Sequence, residues 1–504
     1  MSFHSIAVTN IVNCSPMDTY GWISVLPPIV AIGLAIKTKQ VYLSLGLFIW
    51  LGWTIMSDGN PLLGLIRSMD QFLESVTDAD NARVLLFSAL IGAMITFTQA
   101  SGGMNGFVKW VDGLGLTRSK RSVSMMTVAV SMAVFLESNF GLLVSGSVAR
   151  PLFDKSRISR EKLSYIIDAT CAPKCILVGS LLPLNAWGAY VITLLAAEGV
   201  AKPLPLLMSS VVFNFYSLLA IILALVLIAT QWDFGPMREA ERRVSEEGKL
   251  LRDGARPMVA DDVAMAHAKE GVAQRAHNMI VPIAVMIGIV PIVLYISGQH
   301  ALEAQGATGN VLDAIAEGSG SVAVLWGVVG GLFTGAVSYK IQGILDFQET
   351  TEQLVKGIQG LVPLVIVLSL AFTIGATTRA LGTGVFIAQA AEASIHTGLI
   401  PALVFLLACF IAFSTGTSWG TFGIMIPIVI PMIEILGLHG GLTIAAALGG
   451  GIFGDHCSPI SDSTIVASMA SATDHIDHVR TQLPYALTAA AGATVLFLIF
   501  GFIL

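Results

Sequence analysis

Hydrophobic positions along this chain fall in long blocks, at about 21–36, 41–56, 84–100, 123–149, 163–196, 207–231, 279–297, 322–339, 361–377, 399–436, 442–472 and 483–504, separated by short polar stretches. Such blocks predict helices that cross a hydrocarbon core about 30 Å thick, and none alternates as a barrel strand would. Four blocks carry polar interruptions. "LESNFG" (136–141) divides 123–149 and "FSTGTSWGTFG" (413–423) divides 399–436. A glycine-rich polar break in the middle of a membrane segment predicts a re-entrant hairpin. "DATCAP" (168–173) and "DHCSP" (455–459) predict helices broken at an Asp and a Pro.

The placement of Lys and Arg tests the hairpins, because basic residues concentrate in cytoplasmic loops. If both interrupted blocks return to the side they entered from, one side holds Lys37, Lys39, Lys109, Arg118, Lys120, Arg121, Arg150, Lys155, Arg157, Arg160, Lys162, the basic residues of 232–278, Lys340, Lys356 and Arg480. The other holds only Arg67, Arg83, Lys202 and Arg379, while Lys174 sits inside a block. Were 123–149 to cross, the basic run "RPLFDKSRISREK" (150–162) would fall outside. Composition agrees: 55% hydrophobic and 12% charged residues leave too little charge to cover a soluble domain of this size. The five cysteines (Cys14, Cys171, Cys175, Cys409, Cys457) make no disulfide or metal framework, and no basic n-region precedes the first block, so no removable signal peptide is expected. The net charge of −6 identifies no partner beyond the lipid bilayer, and a nucleic-acid partner is not expected.

Two stretches look alike. "ITFTQASGGMNGFVKW" (95–110) and "FTIGATTRALGTGVFIAQ" (372–389) each carry an apolar helix, small polar residues, a glycine cluster and an amphipathic piece, and each is followed by an interrupted block and then by a broken one. The charge map gives them opposite directions. Inverted repeats with broken helices meeting near the midplane are an architecture of secondary transporters. The expected fold is an all-α polytopic membrane protein: N-terminal helices (1–60), a first repeat with a re-entrant hairpin (61–231), a cytoplasmic linker of mixed charge with a short helix (232–278), further membrane helices (279–339), and a second repeat with its own hairpin (340–504).

A polar group left unsatisfied in hydrocarbon is costly, so polar breaks there must face protein, water or ligand. The first half offers Glu137, Asn139, Asp168 and Lys174. The second offers Thr417, Ser418, Thr421, Asp455, Ser458, Ser461, Asp462 and Thr464. Hydroxyls, carboxylates and freed carbonyls are hard oxygen donors suited to Na⁺, with Asp455, Asp462 and Ser418 the expected ligands, and carboxylates also carry protons. Intramembrane carboxylates are functional by default, whereas a single Ser or Thr often bonds only to its own helix. Asp168 also fits a cap or an ion pair beside the basic loop, and His456 either a proton relay or a structural donor. "DHIDH" (474–478) has the composition of a metal tract, but its place after a block predicts a cytoplasmic turn with helix caps. No cofactor is implied beyond a coupling ion, Na⁺ and/or H⁺. An enzyme is not expected: Asp455, His456 and Cys457 are adjacent on one backbone and make no nucleophile–base relay. A channel would need a continuous pore.

"GDHCSPISDST" with "DHIDHVRTQLPYAL", "STGTSWGTFGIMIPI" (414–428), "TRALGTG" (378–384), "ASGGMNGF" (100–107) and "GSVARPLFDKSRISREKLSYIIDATCAP" (146–173) closely resemble the NhaC family of Na⁺/H⁺ antiporters. The resemblance implies a multi-pass protein of the bacterial cytoplasmic membrane, a dimerising scaffold and a two-hairpin transport domain that moves as an elevator. It implies Na⁺/H⁺ antiport or, as the alternative, Na⁺- or H⁺-coupled carriage of an amino acid or a small carboxylate of the malate or lactate kind. One departure stands out: where the family commonly carries an acidic pair, as in "DDYFN", this chain reads "ESNFG", keeping Glu137 but placing Ser138 at the second position. Close by, Lys174 takes a place where apolar residues are usual. An intramembrane lysine is costly unless paired, so it is expected to pair with Glu137 or Asp168, to stand in for a bound cation, or to snorkel to an interface.

Overall fold

The computed structural model describes residues 20–38, 41–113, 119–135, 138–181, 185–257, 268–269, 271–304, 306 and 309–504. Apolar blocks become helices because lipid offers no partner to a free N–H or C=O and a helix satisfies its own. The chain first forms α1 (Leu26–Thr38), α2 (Val41–Ile55), α3 (Pro61–Thr77), α4 (Ala79–Ala100) and α5 (Gly103–Gly113). It continues with α6 (Lys120–Ala133), α7 (Ser138–Lys155), α8 (Arg160–Leu181), α9 (Ala186–Ala197), α10 (Pro203–Ser210) and α11 (Phe215–Thr230). The linker forms α12 (Gly235–Glu247), and α13 (His277–Ala304), α14 (Val311–Ala316), α15 (Gly320–Ile341), α16 (Phe347–Leu381) and α17 (Thr383–Ser394) follow. Last come α18 (Ile400–Thr415), α19 (Ser418–Leu436), α20 (Gly440–Cys457), α21 (Asp462–Ala470) and α22 (His475–Ile503). Among the described residues 8 helical stretches are long and apolar enough to cross a membrane, or 9 if α8 and α9, which meet at 54°, make one span. The chain is a multi-pass membrane protein.

The two interrupted blocks fold back on themselves. In α20, Gly450 abuts Phe405 and Cys409 and Gly454 abuts Ala412 and Phe413, so α18 runs in the same direction as α20. Phe422 and Ser418 of α19 meet Gly451 and Asp455 in the reverse order, so α19 runs back. The turn between them requires Gly416: its φ is +68°, and a Cβ there would lie 2.6 Å from the Ile460 carbonyl oxygen. Against α8, Ser131 and Phe135 lie beside Cys171 and Cys175, while Gly141 and Asp154 of α7 lie beside Cys171 and Arg160. Both open ends of the α6/α7 hairpin reach Glu241 of α12, which accepts the Ser159 N–H at 2.8 Å and lies 3.8 Å from Lys120. The α18/α19 hairpin opens at the other end of the bundle. There Gly398 packs on Gly501 and Phe502, and His439 meets Phe213.

One break falls elsewhere than expected. α8 passes through Pro173 and stops at Leu181, and Asn185 caps α9 by accepting the Gly188 N–H at 3.0 Å. With no water to take up freed backbone groups, proline alone does not end a membrane helix. "DATCAP" is therefore continuous helix, with Asp168 in mid-helix. α20 does end at Cys457, because hydroxyl side chains stand ready beyond Pro459 to cap it. Each downstream piece then packs on the opposite hairpin: α21 on α7, where Gly146 meets Ala470, and α9 on α19, where the Tyr190 hydroxyl donates to the Trp419 carbonyl at 2.9 Å.

The linker end is fastened by charge. Lys162 and Asp233 form a 2.7 Å pair that is almost wholly buried, and the Tyr485 hydroxyl donates to the same carboxylate at 2.9 Å. Arg243 grips both oxygens of Glu161 at 2.9 and 3.0 Å, and Arg252 does the same to Asp477 at 3.1 and 3.0 Å.

Candidate ion-binding site

Asp455 occupies the last turn of α20 and is buried. Its two carboxylate oxygens are held by different elements: Ser418, the first residue of α19, donates to Oδ2 at 3.2 Å, and Ser461, ahead of α21, donates to Oδ1 at 2.6 Å. Ser461 occupies the N-cap position of α21, yet its hydroxyl makes no capping bond. It is turned instead toward Asp455 and toward Ser463 at 3.1 Å. An N-cap serine normally uses its oxygen on the helix's own N–H groups. Its diversion to a carboxylate sets it apart from the neighbouring hydroxyls.

Those neighbours build the break. Ser463 and Thr464 donate to the Asp455 carbonyl at 3.1 and 3.0 Å, satisfying an end of α20 that the helix leaves open. Ser458 donates to the Phe413 carbonyl at 2.7 Å and so ties the hairpin tip to the break. Thr417 caps α19 through Gly420 N–H at 3.3 Å, and Thr421 bonds back to the Thr417 carbonyl at 2.8 Å. Beside Ser418, Trp419 packs on Trp187 with ring centroids 4.7 Å apart, which fixes the first turn of α19. The arrangement is a carboxylate reached by two hydroxyls at a helix break. With a cation present the hydroxyl protons rotate away, so that carboxylate and hydroxyl oxygens face the ion together. Asp462 opens α21, but its side chain, like all of Glu137, lies outside the described residues.

The first-half candidates lie elsewhere. Asn139 sits in the first turn of α7 at the hairpin tip. Lys174 is buried, which excludes snorkelling, and its ammonium donates to the Ser131 carbonyl, to Ser131 Oγ at 3.1 Å and to Cys171 Sγ at 3.3 Å. It does not pair with Asp168. The Asp168 carboxylate accepts from Gln482 Nε2 at 2.9 Å and lies 3.7 Å from His478 Nε2, inside a polar network on α22. His456 points from the Asp455 turn toward Tyr216, Nδ1 to hydroxyl 2.6 Å.

His478, Gln482, Ser131 and Tyr216 are absent from the sequence-based set. A signal existed for two of them: His475, His478, Gln482 and Tyr485 recur at helical spacing, a polar stripe along a membrane helix. "DHIDH" turns out to open α22, with Asp474 as the cap accepting Ile476 and Asp477 N–H, and no metal cluster occurs among the described residues.

On the opposite side of the bundle from the linker, a cavity of about 350 Å³ is lined by Glu74, Asp78, Asp80 and Arg379, the last paired with Glu198 at 2.6 Å. Asp80 is paired there with Arg83 at 2.7 Å.

The model of the Na⁺/H⁺ antiporter family matches residues 181–502. An uncharacterized protein of Haemophilus influenzae is 31% identical over 496 residues, covering 95% of this chain and 91% of that protein. The malate-2H⁺/Na⁺-lactate antiporter of Bacillus subtilis is 37% identical over 108 residues, 21% of this chain and 23% of its own length. Among solved structures, the Alcanivorax borkumensis YdaH transporter shares the fold, with a TM-score of 0.52 at 16% identity over 87% of this chain and 88% of that one. The family is one of membrane transporters and not of enzymes. With its apolar spans and a family match across most of its second two-thirds, the chain belongs to the Na⁺/H⁺ antiporter family.

Proposed function

We propose that the protein is a secondary active transporter that exchanges Na⁺ for H⁺, with Asp455, Ser418 and Ser461 as the cation site and Asp462 beside it. The observation that carries this reading is the buried Asp455 carboxylate held by hydroxyls from two separate elements. The test is Na⁺-dependent dequenching of a pH-sensitive dye in everted vesicles, with the response abolished in Asp455→Asn. A wild-type protein that gives no Na⁺ response overturns it.

The same reading takes the two halves as inverted repeats. The order long helix, short helix, hairpin, broken helix, long helix occurs in α4, α5, α6/α7, α8/α9, α11 and again in α16, α17, α18/α19, α20/α21, α22. The hairpins open toward opposite ends. In each, a break residue holds the carbonyl of a tip phenylalanine: Asn185 donates to Phe135 at 3.1 Å, Ser458 to Phe413 at 2.7 Å. Alternating access follows if the hairpins and broken helices move as one body against a scaffold of α4, α13 and α15, an elevator, with the scaffold pairing two copies. The mass of the complex in detergent tests the dimer.

A second reading, Na⁺- or H⁺-coupled carriage of an amino acid or small carboxylate, is favoured by Lys174, a fixed positive charge to meet an anion. Labelled uptake stimulated by such a substrate, without Na⁺-dependent dequenching, selects it.

A further inference from the structure

We propose that the protein binds one exchangeable proton at a site separate from Asp455, shared between His475 and His478 through the Ser468 hydroxyl and balanced by Asp168. Its use in transport rests on the reading above of a proton-coupled carrier; the site itself rests on a count of hydrogens.

His475 Nε2 faces the Pro459 carbonyl oxygen at 2.7 Å, and a carbonyl only accepts, so this nitrogen carries hydrogen. The Gln482 amide group donates to Asp168 Oδ2 and to the His456 carbonyl, both pure acceptors, which leaves its oxygen facing His478 Nε2 at 2.8 Å. That nitrogen therefore carries hydrogen as well. If both rings are neutral, both Nδ1 atoms are bare. They point at the same atom, Ser468 Oγ, at 3.0 and 2.9 Å. One hydroxyl owns one hydrogen, and the Thr464 carbonyl at 2.8 Å competes for it. Two neutral rings thus leave at least one lone pair facing another inside a buried cluster.

One added proton removes the conflict. The protonated ring donates Nδ1–H to Ser468 Oγ, and the serine hydroxyl donates its own hydrogen to the other Nδ1. Transfer from His475 to His478 is then a double hop: Nδ1–H of His475 passes to Ser468 Oγ as the Ser468 hydrogen passes to His478 Nδ1, so that the serine ends as it began. The imidazolium at His478 gains the Asp168 carboxylate 3.7 Å from its other nitrogen. His478, Ser468 and Asp168 are fully buried, whereas His475 is part-exposed at the linker end of α22, where a proton enters.

The charged groups on the surrounding elements leave this site its own balance. α7 brings Arg150 and Asp154, the latter paired with Arg160 of α8 at 2.9 Å. α8 also brings Asp168, and α20 brings Asp455, whose carboxylate is held by Ser418 and Ser461, and His456, whose ring is taken by Tyr216. On α22 itself, Asp477 is paired with Arg252. Burial pushes the Asp474 carboxyl up, but the N–H groups of Arg256, Asp477 and Ile476 more than offset it and hold the group below the usual carboxylate range. Among the described residues, Asp168 is the carboxylate that lies beside the His478 ring.

The test is nitrogen NMR of the full chain, labelled with ¹⁵N-histidine and held in lipid nanodiscs, titrated between about pH 5 and 8. The expected result is a single imidazolium for the pair, lost in both His475→Gln and His478→Gln, and split into two independent titrations in Ser468→Ala. Should one histidine variant fail to fold, the other variant and Ser468→Ala still decide. The proposal is overturned if both rings stay neutral throughout, or if removing one leaves the titration of the other unchanged. The transport reading fails separately, in vesicles where the wild-type protein moves no protons with Na⁺ or substrate.

Discussion

Around the second hairpin the helices approach through glycine. Gly450 and Gly454 bring α20 against the backbone of α18, and the hydroxyls at the tip are left to meet Asp455. Around the first hairpin, the space between α6, α7 and α8 is filled by the Lys174 side chain, with Gly141 making room: a Cβ there would lie 3.1 Å from the ammonium. One half thus presents a carboxylate with hydroxyls around it, and the other already contains an ammonium that donates to neutral oxygens and a sulfur. The stretch that the family model matches, residues 181–502, includes the carboxylate site.

Six substitutions break or sharpen that contrast. Asp455→Asn is expected to reduce Na⁺-dependent dequenching by about 100-fold, equivalent to nearly 3 kcal/mol, with Tm unchanged because the amide still accepts from Ser418 and donates within the same cluster. Gly454→Val forces a side chain into the backbone of Ala412 and Phe413 and is expected to cost about 3 kcal/mol or more, read as a lower Tm in detergent. Gly141→Ala in the other half presses partly on the flexible end of Lys174 and costs less. Lys174→Met should lower transport about tenfold while leaving Tm the same or higher, since a buried ammonium is costly to desolvate. A fall in Tm with transport intact would make Lys174 a packing residue. Ser461→Ala removes one hydroxyl from Asp455 and is expected to raise half-saturating Na⁺ about fivefold, whereas Ser458→Ala, which loses the tie to Phe413 and the acceptor of the Ile460 N–H, costs about 1 kcal/mol of stability and leaves half-saturation unchanged.

The second-half candidate site was legible because a membrane segment states its exceptions openly: two carboxylates and six hydroxyls in an apolar context need a reason. Sequence spacing did not separate Ser461, which holds Asp455, from Thr417 and Ser458, which hold backbone, because all are small hydroxyl residues within two positions of a glycine or proline. Asp168 was misplaced because Pro173 looks like a helix end. The partner of Asp168, Gln482, lies 314 residues away, beyond any local pattern. Lys174 was legible as an anomaly, but its partners are the carbonyl and hydroxyl of Ser131, which carry no charge for a sequence to reveal.

The sequence by itself determined the membrane helices, the two interrupted segments and the presence of a polar break at Asp455. These follow from hydropathy, from charge and from backbone groups that lipid will not solvate, all local properties of a chain. Tertiary structure alone decided which hydroxyls turn toward the carboxylate, that Lys174 lies between the helices of the first hairpin, and that two histidines share one serine. Those outcomes depend on how four helices from distant parts of the chain share a few ångströms, and hydrogen-bond geometry at that range is set by packing.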